Sequence, residues 1–226
     1  MFLGPRSTQA EYFDLPGRSE SEMLAALADL DRVNRFFLFA KPFEEVLPRW
    51  LGEQRCRHLE FLDVGAGSGL LGQTLSQWAK TRGWNWHFTN LDLHPVAPHL
   101  RHGARWVSGS ALDLPFPNDS FDVVVASQMT HHLTDGEVVQ HLREAWRVGR
   151  EAVMISDLHR NAGLLAMLWL STRLFGLSQP VREDALTSVR RGFQIDELRS
   201  LAQQAGLDGA HVWLYYGTRI ILQARK

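Results

Sequence analysis

Short apolar runs and longer amphipathic segments alternate along most of this chain. From residue 59 onward the apolar runs predict strands at 59–64, 85–92, 104–107, 121–126 and 151–157. Segments with helical spacing predict helices between them at about 68–81, 95–101 and 134–148. Thr134-x-x-Glu137 is a capping box that marks the start of the last of these helices. Such alternation is typical of a parallel sheet that is covered by helices on both faces.

The C-terminal part of the chain changes this pattern. A helix is predicted over Phe193–Gly206, with the glycine placed to end it. Two apolar strands come next, at 211–215 and 218–224, and only Tyr216 and Gly217 separate them. A tight hairpin at that point would add an antiparallel strand to an otherwise parallel sheet.

The N-terminal part is predicted to be a leader and then a helix. Residues 1–18 contain two prolines and two glycines and are predicted to be loose. Ser19-x-x-Glu22 is a capping box for a helix that runs through Val33 toward Phe36, Phe37 and Phe39. Pro42 and Pro48 are expected to interrupt the segment after that helix. The division predicted is therefore a helical cap or leader at 1–50 and one main domain at 51–226.

The segment at about 160–192 is an insertion between the fifth strand and the next core helix. Its first half is apolar almost all round rather than along one stripe. Together with the aromatic residues at the end of the N-terminal helix, it would form a lid over the carboxyl edge of the sheet. A dimer interface is the alternative explanation for so many apolar residues, so the protein is expected to be a monomer or a homodimer.

Composition excludes several classes of protein. Apolar residues make up 45% of the 226 residues and charged residues 22%, which suits an ordinary globular domain. A net charge of −1 gives no electrostatic case for nucleic acid or an anionic membrane as a partner. The single cysteine, Cys56, has no partner for a disulfide or a zinc site. We see no signal peptide and no run near the roughly 20 apolar residues of a membrane span, so a cytoplasmic location is expected.

The segment Phe61–Leu70, with the sequence FLDVGAGSGL, carries the most chemical information. A buried strand ends in Asp63-Val64, turns on Gly65, Gly67 and Gly69, and leads into an apolar helix. Glycine permits positive φ, and the free N–H groups of a helix start attract a nucleotide-like ligand. The spacing differs from the G-x-G-x-x-G of dinucleotide sites, and the segment lacks a Walker lysine.

This segment resembles the first motif of the class I S-adenosylmethionine-dependent methyltransferases, acidic-x-G-x-G-x-G, and the likeness extends over about residues 55–226. The resemblance implies an α/β, Rossmann-like fold: a mostly parallel seven-stranded sheet, helices on both faces and an antiparallel C-terminal strand. It also implies S-adenosyl-L-methionine as the cofactor.

Two further segments fit the resemblance. Asp92 ends the second predicted strand, where a carboxylate can accept hydrogen bonds from a ribose diol, although it could instead cap the next helix. Residues 109–133 are similar to the family's stretch between the third and fourth strands, with Ser110 in place of an acidic residue that holds the adenine amino group. Ser110 or Asp113 would then meet that group. The expected cofactor-binding residues are Asp63, Gly65, Ala66, Gly67, Gly69, Asp92, Leu93, Ser110, Ala111, Leu112, Ser127, Gln128 and Met129.

Two histidines come shortly after the fourth predicted strand. His131 and His132 are the catalytic candidates, because a neutral imidazole is a suitable base for a phenol or enol proton. The structural alternative is that one satisfies a loop carbonyl and the other packs under the next helix. His131 is slightly preferred as the base. No metal site is predicted, because the histidines lack metal-ligand spacing.

The acceptor pocket is expected at the same edge of the sheet. Candidate residues are Phe36, Asp157, His159, Trp169 and Arg190. Capping of the next helix is the alternative for Asp157, and a solvated charge or salt bridge is the alternative for Arg190.

The function predicted is methyl transfer to an oxygen, or a carbon, of a small apolar acceptor, a phenolic, polyketide-derived or quinol-like molecule. Methylation of a protein or nucleic acid is an alternative. A second alternative is a non-catalytic protein that binds the cofactor, and Ser110 is the only residue that supports it.

Overall fold

The computed structural model describes residues 4–11, 20–93, 101–103, 105–174 and 176–226, and of residues 20–27 it describes the backbone alone. The predicted capping box at Ser19 and all but the last residue of the predicted helix at 95–101 lie outside the described residues.

Seven strands form one sheet in the order β3-β2-β1-β4-β5-β7-β6. Every pairing from β3 to β5 is parallel, whereas β7 is antiparallel to both of its neighbours. The strands are β1 (His58–Val64), β2 (Asn85–Asp92), β3 (Arg105–Ser108), β4 (Phe121–Ser127), β5 (Gly149–Leu158), β6 (His211–Tyr215) and β7 (Arg219–Arg225). The prediction of a mostly parallel sheet with an antiparallel C-terminal strand is therefore confirmed.

Seven α-helices connect and cover these strands within the described residues. They are α1 (Glu20–Phe36), α2 (Lys41–Leu51), α3 (Leu70–Thr81), α4 (Asp135–Val148), α5 (Ala162–Leu174), α6 (Gln179–Arg191) and α7 (Ile195–Gln204). The predicted capping box of α4 is present, with Thr134 and Glu137 each bonding the other's backbone N–H. No helix in the described part of the chain combines the length and the apolar character that a bilayer crossing requires.

Alternate residues of the strands face two separate layers of the core. Leu62 and Val64 of β1 pack with the apolar faces of α4 and α7 on one side of the sheet. Leu59 and Phe61 of the same strand pack with α2 and α3 on the other side. This period of two along β1 is what a strand covered on both faces requires.

Helix α2 was not predicted, because two prolines occupy its sequence. Pro42 lies in the first turn, where a missing N–H costs nothing, and Pro48 lies inside the helix. Phe43 and Leu47 are fully buried in the same core layer as β1. This part of the predicted N-terminal cap therefore belongs to the core of the main domain.

The predicted loose leader is also held tightly where it is described, at residues 4–11. Arg6 donates to the backbone carbonyls of Arg191 (2.9 Å) and Leu133 (2.9 Å), and its guanidinium lies 4.1 Å from the centroid of the Phe193 ring. Arg160 donates to the Gly4 carbonyl at 3.0 Å. The leader is thus fixed by arginines whose partners are distant in sequence, and this is why local composition did not predict it.

The insertion consists of α5 and α6, which pack on each other beside the carboxyl edge of the sheet. Leu164 and Leu168 are buried with Leu158 and Val189 in a small cluster of their own. The opposite face of α5 carries Trp169, which is 47% exposed. Only one face of this almost wholly apolar helix therefore covers the domain.

Candidate functional site

A cavity of about 570 Å³ lies at the carboxyl edge of the parallel strands. The turn after β1, the end of β2 and the loop after β4 line one half of it, and α5, α6 and the start of β7 line the other. Open parallel sheets bind ligands at this edge, because successive strands part there. The volume is in the range of about 300–1,000 Å³ that is usual for sites of small molecules and cofactors.

The glycine turn leaves its backbone bare toward this cavity. Gly65, Gly67 and Gly69 all have positive φ, which side-chain-bearing residues rarely adopt. A Cβ at Gly67 would meet no atom within 4 Å, so the turn faces open space there. A Cβ at Gly69 would lie 2.4 Å from the His102 carbonyl oxygen, and Gly69 is not among the residues that line the cavity. Gly69 therefore serves close packing behind the turn.

Two acidic residues, Asp63 and Asp92, flank the turn. Asp92, at the end of β2, accepts a hydrogen bond from the Gly67 backbone N–H at 2.9 Å and also lines the cavity. Asp63 is 1% exposed, and its Oδ2 has no hydrogen-bond partner among the residues that the structure describes. Burial and then the charge of Asp92 raise the pKa of Asp63 to about 8. Asp63 is therefore protonated at neutral pH, and it can donate its proton to a polar group in the cavity.

Helix α1 closes the cavity beside the glycine turn. Ser68 donates to Asp31 of α1 at 3.0 Å, and both residues line the cavity. Gln128, after β4, donates to Asn34 of the same helix at 2.8 Å. These two bonds attach α1 to the two loops that carry the predicted cofactor-binding residues.

The loop after β3 holds Ser110 at the cavity. The Ser110 hydroxyl oxygen accepts a hydrogen bond from the Leu112 backbone N–H at 3.1 Å, which fixes the loop conformation. Its hydroxyl oxygen still has a second lone pair for a ligand amino group. Asp113, the alternative partner for that group, is exposed and does not line the cavity.

Of the thirteen predicted cofactor-binding residues, the structure brings twelve to the cavity wall, and Gly69 is the exception. Ser127, the last residue of β4, and Met129, two residues later, both line the cavity. A Cβ at Gly65 would lie 2.2 Å from Met129 Cγ, so the glycine turn and the loop after β4 are in direct contact. Within the described part of the chain, the buried Ser127 Oγ has no hydrogen-bond partner.

His131 is a buried cation rather than a free base. Its Nδ1 lies 2.6 Å from Asp157 Oδ1, and its Nε2 lies 3.5 Å from Glu11 Oε1. Burial opposes the charged form, but the attraction of Asp157, its hydrogen bond and the bond to Glu11 outweigh it and raise the pKa of His131 to about 10. An imidazole that already holds its proton cannot accept another. The assignment of the base to His131 stays a prediction, and its raised pKa counts against it.

His132 is placed differently, since it is partly exposed and lines the cavity. Its Nε2 lies 3.7 Å from Glu11 Oε2. Glu11 is 3% exposed and accepts from the Ser188 hydroxyl at 2.7 Å. Burial raises the pKa of Glu11, but hydrogen bonding and charge from His131, with the charge of His132, bring it below its usual value. An ionised carboxylate therefore stands between the two imidazoles.

Arg191 fixes the backbone of both histidines. Its Nε donates to the His131 carbonyl at 3.0 Å, and its Nη2 donates to the His132 carbonyl at 2.5 Å. A third bond, from Nη1 to the Gln9 carbonyl, attaches the N-terminal segment to the same point. The neighbouring Arg190, which was predicted to bind the acceptor, has an exposed side chain.

Glu11, His131 and His132 each offer a ligand atom within 4.8 Å of the others, an arrangement that could hold a cation. The Arg191 Nε lies 3.8 Å from Glu11 Oε1, so a metal ion there would meet a guanidinium. Charge pairing with the two histidines and the arginine accounts for the position of Glu11.

The structure does not bring the five predicted acceptor-binding residues to the cavity wall. Phe36 and Trp169 are 59% and 47% exposed, because each lies on the outer face of its helix. Asp157 is fully buried behind His131, and His159 faces the β6–β7 turn, where its Nδ1 lies 2.9 Å from the Gly217 carbonyl oxygen. Arg190, the fifth of these predicted residues, has an exposed side chain.

Other residues of the same elements form the acceptor half of the cavity. Apolar side chains line much of it: Phe37, Phe39, Leu164, Met167, Leu168 and Val181. Three polar residues that the sequence analysis did not select, Glu11, Ser188 and Arg219, also line the cavity. Side chains of α5 and α6 in the predicted insertion therefore line this half of the cavity, and their action as a lid stays a prediction.

Comparison with known protein families finds one matching domain. Residues 62–155 match the family described as "Methyltransferase domain". The matched segment runs from β1 to β5 and includes the glycine turn, Asp92 and both histidines.

Curated relatives match no more than half of the chain. A demethylmenaquinone methyltransferase of Roseiflexus sp. (strain RS-1) is 31% identical over 99 residues, which cover 43% of this chain and 41% of that protein. An uncharacterized methyltransferase of Mycobacterium sp. (strain JLS) is 29% identical over 111 residues, which cover 48% of this chain and 39% of that protein. The chain thus spans only about two fifths of the length of these relatives.

Solved structures share the fold over most of the chain. Human N-acetylserotonin methyltransferase in complex with SAM superposes with a TM-score of 0.62 at 16% identity, over 92% of this chain and 57% of that one. A SAM-dependent methyltransferase from Aquifex aeolicus gives a TM-score of 0.56 at 17% identity. The superposition covers 92% of this chain and 99% of that one. The sheet and its helices therefore have the Rossmann-like methyltransferase fold.

Proposed function

We propose, from the match of residues 62–155 to the methyltransferase domain family, that the protein transfers a methyl group from S-adenosyl-L-methionine to a small acceptor. The observation that carries the proposal is the divided cavity. Its first half is formed by a bare glycine turn and the Asp92 carboxylate, and its second half is formed largely by apolar side chains.

The residues of the first half fit this cofactor. The Asp92 carboxylate suits a ribose diol, and its bond to the Gly67 N–H orients it beside the turn. The open space at Gly67 admits a ligand against the backbone. The protonated Asp63 and the hydroxyl of Ser110 add a donor and an acceptor. Bound S-adenosyl-L-methionine would supply an electrophilic methyl group on a sulfonium.

The chain's own contribution to the reaction is alignment, exclusion of water and removal of one proton. Helix α1, α5 and α6 cover the cavity, so an acceptor there is held in a largely dry site. We assign the base to His132, which lines the cavity beside an ionised carboxylate of Glu11. That carboxylate would stabilise the imidazolium that forms when the acceptor loses its proton.

The apolar wall supports a small, flat acceptor of phenolic, polyketide-derived or quinol-like type, methylated on oxygen or carbon. A protein or nucleic acid would require an open and charged approach, whereas α5 and α6 lie over the acceptor half. The proposal extends to a cytoplasmic enzyme, since the single thiol, Cys56, is buried and free.

Replacement of Asp92 with alanine is expected to weaken the binding of S-adenosylhomocysteine by about 1–3 kcal/mol, which is the cost of losing hydrogen bonds to a charged group. Isothermal titration calorimetry of the wild type and the variant measures this directly. Unchanged affinity would remove Asp92 from the cofactor site.

The matched control is Asp113→Ala, which alters an exposed carboxylate on the nearby loop outside the cavity. Its affinity for S-adenosylhomocysteine should equal that of the wild type. If the wild type itself does not bind S-adenosylhomocysteine, the proposed function is wrong. Binding without methylation of any acceptor in a broad panel of phenols and quinols would instead favour a non-catalytic protein.

A further inference from the structure

Arg219, the first residue of β7, is a buried arginine that the proposed mechanism does not use. It is 7% exposed and lines the cavity. Its guanidinium makes no hydrogen bond to any residue that the structure describes, and its Nη1 is buried without a partner. Burying a charge without hydrogen bonds is costly, so this position requires an explanation.

The other two buried arginines show what is usual in this protein. Arg160 is bonded to Glu197 through both terminal nitrogens and to two backbone carbonyls. Arg191 donates to three backbone carbonyls, those of His131, His132 and Gln9. Arg219 alone among these three has its donors unused. The difference lies in its position at the cavity wall.

Asp157 does not satisfy Arg219, although its charge acts on it. One Asp157 oxygen accepts from His131 Nδ1 and from the Leu158 backbone N–H, and the other accepts from the His131 backbone N–H. Burial lowers the pKa of Arg219 to about 10, with the charge of Asp157 opposing that shift. The guanidinium is therefore still charged at neutral pH.

The arrangement of the sheet puts Arg219 in the acceptor half. It pairs with Leu158 at the end of β5, and β7 is three strands away from β1 and its glycine turn. Neighbouring strands are about 4.8 Å apart, so these two parts of the cavity wall are separated by roughly 14 Å across the sheet. Leu158 and the lid residues Leu164 and Leu168 surround this part of the cavity with apolar surface.

We propose that Arg219 binds an anionic oxygen group, a carboxylate or an ionised phenol or enol, on the acceptor. This inference rests on the proposed function and narrows its substrate class from apolar aromatic molecules to aromatic acids. The guanidinium presents paired N–H donors that match the two oxygens of a carboxylate. The acceptor would then be oriented by the charge at one end and by the apolar lid along its length.

Acidic residues also line the cavity, and they could bind a cationic acceptor instead of an anionic one. Glu11 lines the cavity but is engaged by Ser188, His131 and His132. Asp184 also lines the cavity. The experiment therefore includes a cationic probe beside the anionic one.

The experiment is calorimetric titration with three probes of one shape: 2-naphthoate, the neutral 2-naphthamide and the cationic 2-naphthylmethylamine. Each is titrated into the wild type, Arg219→Gln and Arg219→Lys, both with and without saturating S-adenosylhomocysteine. The affinity of each protein for S-adenosylhomocysteine is measured separately. Because Arg219→Gln removes an unpaired buried charge, it is expected to fold, and Arg219→Lys keeps the charge if it does not.

The wild type should bind 2-naphthoate at least 10-fold more tightly than 2-naphthamide. Arg219→Gln should lower the affinity for 2-naphthoate by about 10- to 100-fold, the range for hydrogen bonds to a charged group, and leave that for 2-naphthamide unchanged. Arg219→Lys should retain part of the preference, since a point charge replaces the paired donors.

Three results would overturn the proposal: equal binding of naphthoate and naphthamide, a preference that survives in Arg219→Gln, or tighter binding of the amine. A loss of affinity for S-adenosylhomocysteine in Arg219→Gln would also overturn it, because Arg219 would then serve the cofactor. If the wild type prefers naphthoate but does not bind S-adenosylhomocysteine, the proposed function fails while the anion site stands.

Discussion

The Asp157→Asn variant is expected to unfold with a free energy about 3–5 kcal/mol below that of the wild type, as is usual when one partner of a buried ion pair is removed. Asp157 is fully buried, and it lies 2.6 Å from the Nδ1 of a histidine that is itself 2% exposed. Without the carboxylate, His131 must either lose its proton or remain charged beside Glu11 alone.

Asparagine cannot replace the hydrogen bonds of this carboxylate, even though it has the same shape. The two Asp157 oxygens accept from the His131 ring, the His131 backbone N–H at 3.1 Å and the Leu158 backbone N–H at 2.7 Å. All three partners are donors when the imidazole is charged. In the asparagine amide only the carbonyl oxygen accepts hydrogen bonds, because the NH₂ group can only donate. At least one of these N–H groups would therefore face the NH₂ group in a buried site.

The pH dependence of stability should change in the same variant. The pKa of His131 is raised to about 10 in the folded protein, against about 6.5 in the unfolded chain. The stability from this shift is fully present below pH 6.5 and is lost as the pH rises through 10. In Asp157→Asn the pKa of His131 falls back, so stability should depend less steeply on pH between 7 and 10.

Urea denaturation at pH 7 and pH 9.5 measures both effects. The control is Asp135→Asn, which removes a carboxylate that is 72% exposed from its pair with Arg6. Loss of so exposed a carboxylate should cost no more than about 1 kcal/mol. If Asp157→Asn costs as little as Asp135→Asn, or keeps the wild-type pH dependence, His131 is not held as a buried cation.

Much of the fold could be predicted from the order of apolar runs. β4 and β5 are almost wholly buried, so each contains a short, continuous apolar run. Helix α2 could not be predicted by the same reasoning. Its prolines argue against a helix locally, whereas burial of Phe43 and Leu47 against the sheet stabilises it.

The cofactor half of the site was predictable because its determinants are local. The glycine turn and Asp92 each lie where a strand ends, and parallel strands bring those ends to one edge. The acceptor half depends on contacts between distant parts of the chain. Glu11 lies 120 residues from His131, and no local pattern marks it.

Arg219 did leave a signal in the sequence that could have been used. It begins an otherwise apolar strand, RIILQA, in which a cation at a buried position is unusual. For the residues of α5, by contrast, the sequence left no such signal. Helix α5 is apolar all round, so its sequence could not indicate that Leu164 and Leu168 face inward while Trp169 faces out.

The His132→Ala variant is expected to lower the single-turnover rate of methyl transfer by about 10²- to 10⁴-fold, the usual contribution of a general base. His132 lines the cavity, and its Nε2 lies 3.7 Å from Glu11 Oε2. The Arg191 guanidinium holds the His132 backbone carbonyl, so removal of the ring leaves the loop attached. The affinity for S-adenosylhomocysteine should stay within a few-fold of the wild type.

Two companion variants separate a base from a structural residue. Glu11→Gln keeps the shape of the side chain but removes the charge that would stabilise the imidazolium, so it should lower the rate by a smaller factor than His132→Ala. In Ser188→Ala the hydroxyl that donates to Glu11 is lost while the carboxylate remains, and this variant should stay within a few-fold of the wild-type rate.

Chemical rescue then identifies the missing group. Added imidazole should restore part of the rate in His132→Ala, because a free base can enter the space that the ring leaves, and it should not accelerate the wild type. The substrate is a phenol that the wild type methylates. A single-turnover rate for His132→Ala close to that of the wild type would show that the acceptor loses its proton elsewhere. His131 could not replace it as the base, because its raised pKa keeps it protonated between two carboxylates. The acceptor would then have to reach the site already as its anion, and it would need no base from the protein.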